Sequence, residues 1–127
     1  RVALSHDFLA LLDDPSIFKA GVAVHDDMRL LTTLVPFRAD GVVDLGGVAR
    51  DNGLATQGLR TLAANFLHVR ISKGAQCSNW GQKELSSQQI AYAATDAWIS
   101  RQVYLAMDRL GFFAPGRRVF PFVAESA

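Results

Sequence analysis

Two carboxylates and one phenol stand out by their positions. Asp27 follows the run Lys19-Ala20-Gly21-Val22-Ala23-Val24, which reads as part of a short buried strand. In α/β proteins ligands gather just beyond strand ends. Asp96 sits inside a long helical pattern among Ala93, Ala94 and Ala97, where an Asp is unfavourable. Small apolar neighbours imply that it faces something specific. Tyr92 lies one turn earlier, so its ring and the Asp96 carboxylate share a helix face. Carboxylates converging from separate elements suit a hard divalent cation such as magnesium, and a tyrosine hydroxyl beside them can orient an attacking water. The same residues have plainer uses. Asp27, or its neighbour Asp26, can cap a helix. Asp96 can be an exposed helical Asp, and Tyr92 a core ring with its hydroxyl at the rim. Spacing alone leaves both readings open.

The elements that must position these groups follow from local pattern. Ser5 caps a helix over 5–12, with Phe8, Leu9, Leu11 and Leu12 on one face. Asp14-Pro15-Ser16 is a turn, and 17–24 reads as a strand. A second helix, capped by Asp26 or Asp27, runs to Leu34 and stops before Pro36. A second strand covers 41–45. A helical turn or two follows Gly46-Gly47 and ends at Asn52-Gly53. Leu59, Leu62, Ala63, Phe66 and Leu67 predict a helix over 57–67, and 68–80 reads as an ordered loop. Ser86 and Gln89 have capping-box spacing; the helix they open runs to about Leu110, where Gly111 ends it. Pro115-Gly116 and Pro121 punctuate the tail. The order of helix, strand, helix, strand, then mostly helix is an α/β pattern, with residues 1–111 as the domain and 112–127 as a tail.

Composition narrows the function. The 127 residues are one domain's length, with 13 Lys+Arg against 12 Asp+Glu and a net charge of +1. That balance excludes nucleic-acid binding by a broad basic field and leaves room for a localised site. The single cysteine, Cys77, excludes an internal disulfide and a cysteine-built zinc site. No stretch approaches the ~20 apolar residues of a membrane helix, and no signal peptide is visible. An intracellular protein is expected, with no membrane partner.

The order of motifs is more specific than any one of them. Cys77-Ser78-Asn79-Trp80, then Leu85, Gln89 and Tyr92-Ala93-Ala94-Thr95-Asp96-Ala97, resemble the end of the 3′-5′ exonuclease domain of the ribonuclease D and Werner-syndrome exonuclease type. This is the tyrosine branch of the four-acid exonucleases, in the ribonuclease H-like superfamily. Lys19 through Asp27 resembles its second motif, Val43-Asp44-Leu45 the following strand, and Leu59, Leu62 and Leu67 its Leu-rich helix. The resemblance implies a ribonuclease H-like α/β fold, N-terminally truncated. Two short strands and about five helices would be present and the first three strands missing. It implies phosphodiester hydrolysis at a 3′ end of DNA or RNA with Mg2+ or Mn2+. Asp27 and Asp96 match metal-holding aspartates, with Asp26 an adjacent contender to Asp27 that the alignment of the Gly21-Val22 strand disfavours, and Tyr92 matches the water-orienting tyrosine.

One departure matters. The family's first motif is Asp-x-Glu, and no Asp in the 127 residues has a Glu two positions on. Two expectations follow. For these residues as given, the fold serves as a non-catalytic structural or RNA-contacting subunit of a larger assembly such as a ribonucleoprotein. Other protein chains would then cover its exposed sheet edge, and no metal would be bound. The alternative is an active exonuclease whose Asp-x-Glu lies upstream of Arg1. Secondary candidates for nucleic-acid contact are Arg70 and Lys73, near His68, and Arg117 and Arg118 among Phe112, Phe113, Phe120 and Phe122. A solvated loop and packing of the tail on the chain's own core are the competing readings.

Overall fold

The computed structural model describes residues 5–54, 58–71 and 79–113. The Ser5 hydroxyl accepts from the Phe8 N–H at 3.1 Å and opens helix α1 (His6–Asp13). The Asp14 carboxylate accepts from both the N–H and the hydroxyl of Ser16, which lowers its pKa and closes the turn before strand β1 (Lys19–Gly21). Helix α2 (Val24–Leu34) carries the chain over to strand β2 (Val42–Asp44). The strands pair in parallel, with Lys19 opposite Val42, Ala20 opposite Val43 and Gly21 opposite Asp44. A parallel pair needs such a crossover, and a helix is its usual form. Helices α3 (Leu45–Asp51), α4 (Leu59–Leu67) and α5 (Ser87–Arg109) follow.

The core lies where α5 crosses the sheet and the two short helices. Val43, Leu45, Val48 and Ala49 meet Leu62 and Ala63 of α4 and Ile99, Val103 and Met107 of α5, all buried. This is why β2 is apolar at both Val42 and Val43: each side chain is covered. Gly41 sets the approach to β2. It has φ +72°, and a Cβ there would lie 3.0 Å from the Ile17 carbonyl and 3.2 Å from that of Pro15. Only glycine lets the two segments come so close. The Gly41 carbonyl in turn accepts the Lys19 N–H at 2.8 Å, starting the ladder.

The architecture is the expected α/β one, with five helices and a two-stranded parallel sheet among the described residues. Two local expectations are corrected. The first strand is Lys19–Gly21 rather than 17–24: Ile17 and Phe18 are exposed before the ladder begins, and Val24 already belongs to α2. Neither Asp26 nor Asp27 caps α2. The chain turns at Ala23, a left-handed residue (φ 59°), whose N–H donates to Asp44 Oδ1 at 3.2 Å. The helix therefore starts earlier than a local cap would set it, with both aspartates in its first turn, where the helix dipole favours negative charge. Among the described residues, no helix is long and apolar enough to cross a membrane.

Candidate active site

Asp44 does local work that places the site. Its Oδ1 also accepts the Gly46 N–H at 3.1 Å, capping α3. One carboxylate thus ties the end of β2, the start of α3 and the turn into α2. With that turn fixed, consecutive aspartates diverge. Asp26 faces solvent and pairs with Arg29 at 2.7 Å, its side chain 76% exposed. Asp27 faces a cleft that Tyr92 and Asp96 of α5 also line. The cleft has a volume of about 560 Å3, and Gly21 of β1, Leu59 of α4 and Trp80 are among the residues that wall it. That volume is in the range of small-ligand sites, about 300–1,000 Å3.

Helix α5 holds its part of the cleft from a firm start. Ser86 and Gln89 form a reciprocal capping box: the Ser86 hydroxyl accepts from the Gln89 N–H, and the Gln89 side chain accepts from the Ser86 N–H. Tyr92 follows one turn later, with the Trp80 ring tilted against it at 6.1 Å between centroids. Asp96 is a further turn along, half-buried, and burial raises its carboxyl pKa above the ordinary value. A partly desolvated carboxylate disfavours its own charge unless a cation is near.

Two oxygen donors from separate helices in one cleft, one of them partly desolvated, fit a hard divalent cation. They fit as part of a ligand set. Among the described residues no group of three His, Cys, Asp or Glu side chains comes together, so further ligands must be added to this pair.

The remaining sequence candidates are spread elsewhere. Arg70 is exposed beyond α4 and does not line the cleft. Lys73, Arg117 and Arg118 lie outside the described residues, as do Cys77, Ser78, Phe120 and Phe122. The first two residues of the expected tail pack on the chain itself. Phe112 meets Phe66 edge-on at 5.3 Å, and Phe113 stacks on Tyr104 at 4.8 Å. Two contributors escaped the sequence reading. Asp44 carried no signal beyond a polar residue at a strand end, and Leu59 read only as a helix-face residue.

Comparison with known proteins decides the family. A family model described as 3′-5′ exonuclease matches residues 3–111. The chain belongs to this family. The exonuclease domain is 33% identical to ribonuclease D of Haemophilus influenzae over 103 residues, 80% of this chain and 26% of that protein. It is 32% identical to the human exonuclease mut-7 homolog over 125 residues, 84% of this chain and 14% of that one. The chain therefore spans about a quarter or less of these relatives' length. In fold the domain is similar to NrnC of Brucella melitensis, with TM-score 0.77 and 23% identity, over 96% of this chain and 62% of that one. It is also similar to the exonuclease domain of Aedes aegypti Nibbler, with TM-score 0.66 and 22% identity, over 82% and 57% of the two chains.

Proposed function

We propose that this exonuclease domain is catalytic and hydrolyses the terminal phosphodiester bond at the 3′ end of a nucleic-acid strand. The observation that carries the reading is the convergence of Asp27, Tyr92 and Asp96 on one cleft from α2 and α5. Asp27 and Asp96 would hold Mg2+ or Mn2+ through carboxylate oxygens. Such ions, when bound, activate a water and stabilise the leaving oxygen. The chain's own residues do the rest. The two carboxylates define where positive charge collects, and so where a scissile phosphate is drawn. The Tyr92 hydroxyl hydrogen-bonds the attacking water. Trp80 and Leu59 form the less polar wall beside it.

The expected Asp-x-Glu pair would reach the cleft on a strand added to β1, from the same polypeptide or a partner chain. Ala20 and Gly21 of β1 line the cleft, and among the described residues β1 pairs with β2 alone. A strand on its other edge would lie beside Asp27 and Asp96. A nucleic-acid substrate agrees with the ribonuclease D relatives and with the pGG bound in one NrnC structure. An intracellular setting goes with such a substrate.

The test uses the full-length protein that carries this domain and a 5′-labelled oligonucleotide, as DNA and as RNA. With Mg2+ or Mn2+ the label should move to progressively shorter products, and chelation should stop this. Tyr92→Phe should slow it by about 100-fold, the scale of a lost proton-handling group. Full-length protein that leaves both substrates intact with either metal would contradict the proposal.

A further inference from the structure

A single buried amide reaches from the start of α5 to the rim of the cleft. Gln89 is 3% exposed, although Gln is usually a surface residue. Its oxygen accepts the Ser86 N–H at 2.9 Å, which is the capping box. The same oxygen accepts the Gln82 amide N–H at 2.9 Å, and the Gln89 Nε2 donates to the Asn79 carbonyl at 3.0 Å. Neither of these last two bonds is needed to cap the helix. Both end in the segment from Asn79 to Ser86, and Asn79 is bonded directly to Trp80 in the chain. Gln89 also shares its helix face with Tyr92, three residues on, and with Asp96, seven residues on.

We infer that Gln89 is a positioning residue: by holding the Asn79 carbonyl and the Gln82 amide it fixes Trp80 against Tyr92, and so fixes the ring of Tyr92 at the cleft. The geometry favours this over a capping role alone. A cap uses the side-chain oxygen; here the nitrogen is also committed, to the residue that carries Trp80. A buried amide with both ends bonded holds its partners rigidly, because releasing either leaves a desolvated polar group. Trp80 is 38% exposed and lines the cleft. The catalytic half of the inference rests on the reading that Tyr92 serves the active site; the structural half does not.

Gln89→Glu separates the two roles. A carboxylate at this position keeps the acceptor for the Ser86 and Gln82 N–H groups, and Glu serves as well as Gln in a capping box. It replaces the donor to the Asn79 carbonyl with an oxygen that repels that carbonyl. The chain has two tryptophans, Trp80 and Trp98, so a Trp98→Phe background isolates Trp80 emission. With the pH raised until the introduced carboxyl, which burial shifts upward, is ionised, helical circular dichroism should be retained. Trp80 emission should shift to longer wavelength as the ring leaves Tyr92 for water. In the full-length protein kcat should fall about 10-fold to 100-fold with a smaller change in KM, the scale expected for a misplaced reacting group. Gln82→Met removes one bond outside the cap and should give a smaller emission shift in the same direction. It decides the matter if the first variant does not fold. Unchanged Trp80 emission in the folded variants overturns the inference. An inactive parent protein with shifted emission would sink the catalytic proposal and leave the tether established.

Discussion

Asp96→Asn in the full-length protein is expected to lower kcat/KM for 3′-end hydrolysis on the order of 1,000-fold, while the fold stays at least as stable. The two halves of this expectation have one cause. Asp96 is half-buried on α5, and burial raises its carboxyl pKa. A raised carboxyl pKa means the folded state favours the neutral acid, so the ionised form weakens the fold as pH rises through the shifted value. Asparagine has the same shape without the charge, so thermal unfolding at neutral pH should occur at an equal or higher temperature. Activity should collapse because a metal-linked carboxylate contributes several kcal/mol of transition-state stabilisation, and each 1.36 kcal/mol is about tenfold in rate. A structural Asp at this position would give the opposite pair: unchanged turnover and a lower unfolding temperature. The measurement is a steady-state assay beside a thermal melt of the same two preparations.

Leu62→Ala is expected to cost about 3 kcal/mol of stability, a typical penalty for emptying a buried leucine site. Leu62 is fully buried in α4 (0% exposed) and belongs to the cluster that joins α4 to Val103 and Met107 of α5. The surrounding helices are held by the rest of that cluster, so they collapse only partly into the space. The melting temperature should fall on the order of 10 °C. Leu30→Ala on α2 is the contrast. Leu30 is 66% exposed, and its truncation should change stability by less than about 0.5 kcal/mol. Denaturant melts of the two variants read both. The loss matters for function because α4 begins at Leu59, which lines the cleft, and because the same packing sets where α5 holds Tyr92 and Asp96.

What the sequence disclosed depended on how local each interaction is. The box between Ser86 and Gln89 was legible because it closes within one turn, and so were the cap at Ser5 and the stop at Gly111. Tyr92 and Asp96 were legible as a pair because helical periodicity puts them on one face. That Asp27 meets them was legible only through the resemblance, since no local rule links α2 to α5. The start of α2 was misjudged for the same reason. Its first turn is set by Asp44, 21 residues beyond Ala23, and no window of neighbouring residues contains that bond. Strand β1 was drawn too long because Ile17 and Phe18 have strand-forming side chains. Tertiary pairing begins only at Lys19, where the Gly41 carbonyl is available. The reach of Gln89 to Asn79, across ten residues, was hidden behind its role in the cap.

The central claim is that Asp27 and Asp96 act together in one metal-dependent site. A double-mutant cycle on kcat/KM of the full-length protein tests it most directly, using Asp27→Asn, Asp96→Asn and the two combined. Groups that serve one assembly are strongly non-additive, since losing the first already removes what the second supports. The account predicts that each single change nearly abolishes activity and that the double variant is little worse than either. Two single variants as active as the parent, or losses that simply multiply in the double variant, would contradict it.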